Sequence, residues 1–77
     1  MNKARRSQLD AIYSELSDIK DRLEQLRDEE QEARDNMPDN LQDSERASNA
    51  DEAISQMDDA INEIESAMDN VENAKGE

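Results

Sequence analysis

The stretch LDAIYSELSDIKDRLEQL, residues 9–26, decides the fold. Leu9, Ile12, Leu16, Ile19, Leu23 and Leu26 recur at alternate spacings of three and four, with polar residues between them. Those are the a and d positions of a heptad. Such a period winds one apolar seam along a helix and does not fit the two-residue alternation of a strand. The seam continues through Glu30, Ala33 and Met37. A second run, ISQMDDAINEIESAMDNV, residues 54–71, repeats the pattern with Ile54, Met57, Ile61, Ile64, Met68 and Val71, preceded by Ala47 and Ala50.

The flanks of the two seams tell how they pair. The e column of the first run is Tyr13, Lys20, Arg27 and Arg34; that of the second is Asp51, Asp58, Glu65 and Glu72. In an antiparallel pair the e edges face each other, so a basic column meets an acidic one. The fold class expected is all-α: an antiparallel two-helix hairpin, a coiled coil folded on itself. The register that matches large residues layer by layer pairs Leu9 with Val71, Ile12 with Met68, Leu16 with Ile64, Ile19 with Ile61, Leu23 with Met57 and Leu26 with Ile54. A slip of one heptad sets Glu30 against Met57 and strands Leu9 and Ile12. Glu30 is the one charge in the seam; near the turn it is expected to reach water, with Arg27, Arg34 and Arg46 as the alternative partners.

One domain is expected over residues 1–77, with a first helix over 3–35, a turn over 36–44 and a second helix over 45–75. Met37 precedes Pro38 and is pushed away from helical geometry. Pro38 suits the start of a single helical turn, Leu41 is placed to close the seam with Met37, and Asp43 or Ser44 is suited to cap the second helix, in preference to a later start at Ser48, which has capping-box spacing to Asp51.

Of 77 residues, 22 are Asp or Glu and nine are Lys or Arg, giving a formal net charge of −13; there is one aromatic residue. A single seam between two helices buries little apolar surface, so a homodimer or a partner protein is expected to complete the fold. Ala53, Ala60, Ala67 and Ala74 occupy successive g positions of the second run. They form a small-residue strip beside the seam, expected to support self-association into a four-helix assembly, although alanine also serves simply as a strong helix former.

The chain lacks Cys and His. It therefore has no thiol nucleophile, no thiolate metal ligand and no imidazole for proton transfer near neutral pH. Paired-carboxylate catalysis needs a cleft that splits two pKa values, which two packed helices do not offer. No enzyme activity, cofactor or metal is expected; Asp35, Asp39, Asp43 and Glu45 near the turn read as turn and capping residues, because a calcium loop would need glycine where this connector has proline. Neither a membrane span nor a signal-peptide pattern is present, and a cytoplasmic location is expected.

The outward b, c and f positions hold the strongest functional signal. Asp10, Asp18, Asp21, Glu24, Asp28, Glu32 and Asp35 lie there on the first helix, and Glu52, Asp59, Glu63 and Asp69 on the second, with no Lys or Arg among them. Exposed helix faces ordinarily mix both signs. A rod coated with one sign repels nucleic acid and attracts basic surfaces, including the clefts that bind duplex DNA. The basic start, Lys3, Arg5 and Arg6, is expected to lie beside the acidic end of the second helix and not to bind nucleic acid directly.

At the connector, Arg27–Ala47 (RDEEQEARDNMPDNLQDSERA) resembles small acidic proteins encoded by bacteriophages, prophages and conjugative elements. Shared features are the run Glu29, Glu30, Glu32, Ala33, then Pro38, Leu41, Gln42, Ser44, Glu45 and Arg46. This close resemblance spans about a quarter of the chain, and the remainder is similar in pattern. It implies a mobile-element setting, in which small acidic proteins often resemble inhibitors of host defence such as anti-CRISPR proteins. The expected role is a DNA-mimic-like inhibitor that engages a basic surface through Asp18, Asp21, Glu24, Asp28, Glu32, Asp35, Glu52, Asp59, Glu63 and Asp69. The alternative is a structural or adaptor coiled coil acting through Ala53, Ala60, Ala67 and Ala74.

Overall fold

In the computed structural model, which describes residues 1–41 and 43–76, the chain is an all-α hairpin of two long helices. Helix α1 spans Lys3–Asp35 and helix α2 spans Glu45–Gly76, joined by a single 3-10 turn at Asp39–Leu41. The helices pack along their length into a rod of 60 × 14 × 12 Å. Gln42, part of the connector motif, and Glu77, expected near the basic start, lie outside the described residues.

Each helix end has a chemical cause. The Asn2 side chain accepts a hydrogen bond from the Arg5 N–H at 2.8 Å, satisfying one of the free donors of the first turn of α1. At the other end the Asn36 and Met37 N–H groups donate to the Glu32 and Arg34 carbonyls, after which Pro38 forbids another helical turn. The Pro38 carbonyl then accepts from the Leu41 N–H at 2.8 Å, closing the 3-10 turn. Ser44 starts α2: its hydroxyl donates to the Leu41 carbonyl at 2.6 Å and accepts from the Ala47 N–H at 3.2 Å. One side chain thus ties the connector to the helix cap, and Ser48 is already helical, its N–H donating to the Ser44 carbonyl.

Cross-helix ion pairs fix the register. Lys20 lies 3.7 Å from Glu65, Arg27 donates to Asp58 at 3.0 Å and Arg34 donates to Asp51 at 2.9 Å. Every step of one heptad down α1 is matched by one heptad up α2, as antiparallel helices require. Lys75 reaches Asp10 at 2.9 Å and Glu72 at 3.2 Å, closing the open end of the hairpin.

The core is thin and lopsided. The buried apolar residues are Ala47, Ala50, Ile61 and Met68, all on α2; α1 buries none. Leu9, Leu16 and Leu23, the a column of α1, are half-buried, but its d column stands in solvent: Ile12 is 43 % exposed, Ile19 47 % and Leu26 56 %. The expectation that every large seam residue finds cover is corrected here. Attraction between the e columns, with the stems of Lys20, Arg27 and Arg34 lying half-buried along the seam, closes the a/e side of α1. On the opposite side α2 offers Ala53, Ala60, Ala67 and Ala74 at g beyond Arg46, and their methyls are too short to roof a leucine or isoleucine across the groove.

Candidate functional site

Two surfaces of the rod emerge from this packing. The first is the outward acidic face. Asp18, Asp21, Asp28, Glu32 and Asp35 on α1 and Glu52, Asp59, Glu63 and Asp69 on α2 are exposed, while Glu24 is half-buried. They are displayed by the helical repeat itself: once a and d residues turn inward, b, c and f must turn out. Successive f residues Asp21, Asp28 and Asp35 are one heptad apart, roughly 10 Å along the axis.

Those carboxylates are not electrostatically equal. Glu24 lies 3.7 Å from Lys20, and Asp28 accepts from both Nε and Nη2 of Arg27 at 3.2 and 3.0 Å. Asp10 is tied to Lys75. Arg27 is shared between Asp58 across the groove and Asp28 beside it, and hydrogen bonding to these two carboxylates raises its pKa above the ordinary arginine value against a smaller opposing effect of desolvation. Asp35 accepts a hydrogen bond from the Gln31 amide at 3.0 Å and keeps its charge uncompensated. Asp18, Asp21, Glu32, Glu52, Asp59, Glu63 and Asp69 form no ion pair with any described residue, so they carry the outward field undiluted.

The second surface is the open d/g flank. It holds Ile12, Ile19 and Leu26 on α1, with the half-buried Met57, Ile64 and Val71 on the facing edge of α2. Ala60, Ala67 and Ala74 are also half-buried, and Ala53 alone of the four alanines is exposed. The alanine strip is therefore the floor of this flank, and the α1 stripe is its main apolar element. Sequence reading placed those residues in the hairpin seam and so missed them as surface. The signal was present: the g positions beside Ile12, Ile19 and Leu26 are faced by alanine alone.

Two concavities remain. At the closed end, Glu30, Ala33, Asn36, Met37, Pro38, Leu41, Arg46 and Ala50 line an open cleft of about 420 Å³. Met37 and Leu41 line it and leave it open, and Glu30 forms no ion pair with a described residue, in keeping with a carboxylate that reaches solvent. Tyr13 joins Lys20, Glu65, Met68 and Asp69 around a shallower hollow. Lys3, Arg5 and Arg6 are exposed and make no ion pair with a described residue. No group of three or more acidic side chains converges on a cation position among the described residues, and no helix is long and apolar enough to cross a membrane.

Comparison with known proteins finds no matching family model, no matching curated protein and no matching solved structure. The reading of function accordingly rests on the chain's own surfaces.

Proposed function

We propose that this hairpin is a non-enzymatic acidic binding protein of a phage or mobile element, which inhibits a nucleic-acid-handling host defence protein by occupying its basic surface. The observation that carries this reading is the segregation of sign. Lys20, Arg27 and Arg34 are spent in pairs along the groove, while the outward positions of both helices present carboxylates. The field is extended rather than focused: a net charge of −13 over a 60 Å rod is roughly one charge per 5 Å. Duplex DNA carries about one per 1.7 Å. The rod therefore competes for a basic cleft by its overall potential and shape, with no side chain replacing a given phosphate.

Asp21, Asp28, Asp59 and Glu63 are the central carriers, and their contributions are cumulative. Capture of partners from a bacterial lysate at low salt, followed by elution with either high salt or added duplex DNA, tests the reading. Nucleic-acid-binding proteins released by both are expected, and Asp21→Asn, Asp59→Asn and Glu63→Gln combined should weaken their retention stepwise. Partners held equally at high salt, or indifferent to DNA, would reject it.

The second reading, a structural or adaptor coiled coil, is favoured by a separate observation, the open apolar flank with Ala53, Ala60, Ala67 and Ala74 at its floor. The two readings make opposite demands on salt: attraction to a basic surface weakens as salt rises, whereas apolar association between acidic rods strengthens as their repulsion is screened.

A further inference from the structure

We propose that the open d/g flank is the seat of a second copy of this chain, with a two-fold axis crossing α1 at Ile19. Three observations point to a copy of itself as the occupant. The first is the pattern along α1. Ile12, Ile19 and Leu26 are spaced one heptad apart and exposed, and the g column beside them reads Gln8, Glu15, Arg22, Glu29. When α1 of a second copy lies antiparallel on it, Ile19 meets its own copy and Ile12 meets Leu26 of the partner subunit. Arg22 then falls beside Glu15 of the partner subunit, and by symmetry the pair forms twice.

The second observation is Arg22 itself. Of the four basic residues between Leu9 and Asp35, Lys20, Arg27 and Arg34 are paired across the groove, but Arg22 is exposed and forms no ion pair with any described residue. It flanks the uncovered stripe, where a carboxylate delivered by a second chain can pair with it. Glu15 and Glu29 on the same edge are likewise exposed and without an ion pair among the described residues.

The third is size and fit. The long face of the rod measures about 60 by 14 Å, on the order of the ~800 Å² per partner that a stable interface buries. In the register expected from the seam Ile19 faces Ile61, and the same axis then crosses α2 near Ile61. That sets Ala60 close to its own copy and Ala53 near Ala67 of the partner subunit, where methyl groups permit close helix approach. The product is an antiparallel four-helix bundle, the arrangement that completes a core in which α1 alone buries nothing. It leaves the f-position carboxylates outside and doubles the charge per unit length of the rod.

Sedimentation equilibrium of the full chain tests this. A mass twice that of the monomer is expected, with the dissociation constant falling as salt is raised from low to physiological, because two chains of net charge −13 repel. Ile19→Gln should raise that constant tenfold or more while the circular dichroism of the hairpin is retained, since Ile19 is half-exposed in the monomer. Arg22→Glu should weaken the dimer, and Arg22→Glu combined with Glu15→Arg should restore it. Because the chain has no cysteine, Ile19→Cys gives a clean positional report: mild oxidation should link it to its copy, and Asp21→Cys on the outward face should not link. A monomer at all concentrations, a dimer indifferent to Ile19→Gln, no rescue by the charge swap, or linkage through Asp21→Cys in place of Ile19→Cys overturns the proposal.

Discussion

The two long flanks of the hairpin are built from the same heptads and end in opposite states. Along the e edges, Lys20, Arg27 and Arg34 reach across to Glu65, Asp58 and Asp51, and the stems of the basic residues cover the seam. Along the g edges, α2 presents alanine and α1 presents Gln8, Glu15, Arg22 and Glu29, so nothing spans the groove and Ile12, Ile19 and Leu26 stay in water. Long charged side chains of opposite sign close a coiled-coil flank; a methyl facing an acid cannot. The flanks therefore differ in kind, one tied across the groove by ion pairs and the other leaving apolar side chains in solvent.

The largest effect expected from breaking this contrast is at the apolar layer shared by the two helices. Ile61 is 4 % exposed, and Ile19, its partner in the expected register, is 47 % exposed. Ile61→Ala should destabilise the hairpin by about 2–5 kcal/mol, the range for a buried large-to-small change, whereas Ile19→Ala in dilute solution should cost about half as much or less. Thermal denaturation followed by circular dichroism at low protein concentration compares them. Equal losses would mean that the α1 stripe is as well covered as the α2 core.

A smaller effect is expected from the charged flank. Arg34→Glu sets a carboxylate against Asp51 near the turn, where the native pair is 2.9 Å apart, and should lower the melting temperature modestly. Adding Asp51→Arg should recover most of the loss, because exposed pairs act chiefly by selecting register and contribute little stability. Failure of the swap to recover stability would show that the side-chain stems, and not the charges, hold this edge.

The smallest effect concerns the open end. Hydrogen bonds to Asp10 and then Glu72 raise the pKa of Lys75 above the ordinary lysine value, against a smaller opposing effect of desolvation. A raised lysine pKa gives stability that is complete below the ordinary value and is lost as pH rises through the folded one. Alkaline titration should therefore loosen the ends of α1 and α2 before the turn, seen as loss of nuclear Overhauser contacts near Asp10 and Lys75. Lys75→Met should abolish that early step.

Much of the fold was legible because it rests on periodicity. The positions of Leu16, Ile61 and their neighbours give helices, the e columns give the antiparallel sense, and Pro38 with Ser44 gives the turn and the cap. The exposed placement of Asp21, Asp59 and Glu63 follows from the same wheel. What the pattern could not give was the rotation of α1 about its own axis. A heptad places a and d together on the seam, and only the balance between the e pairs and the small g residues decides which column turns further in. That balance exposed Ile19 and half-buried Ala60, reversing their expected roles as seam and surface. The end pairing was also hidden, because Lys75 lies outside the e column.

By itself the sequence determined the two helices, their antiparallel sense and the sign of their outer surface, since each follows from local spacing and from charges one heptad apart. Tertiary structure alone decided that the basic stems, and not the isoleucines of α1, would roof the seam. That outcome depends on the reach of side chains across a groove between two particular edges, a distance no residue spacing along one helix contains.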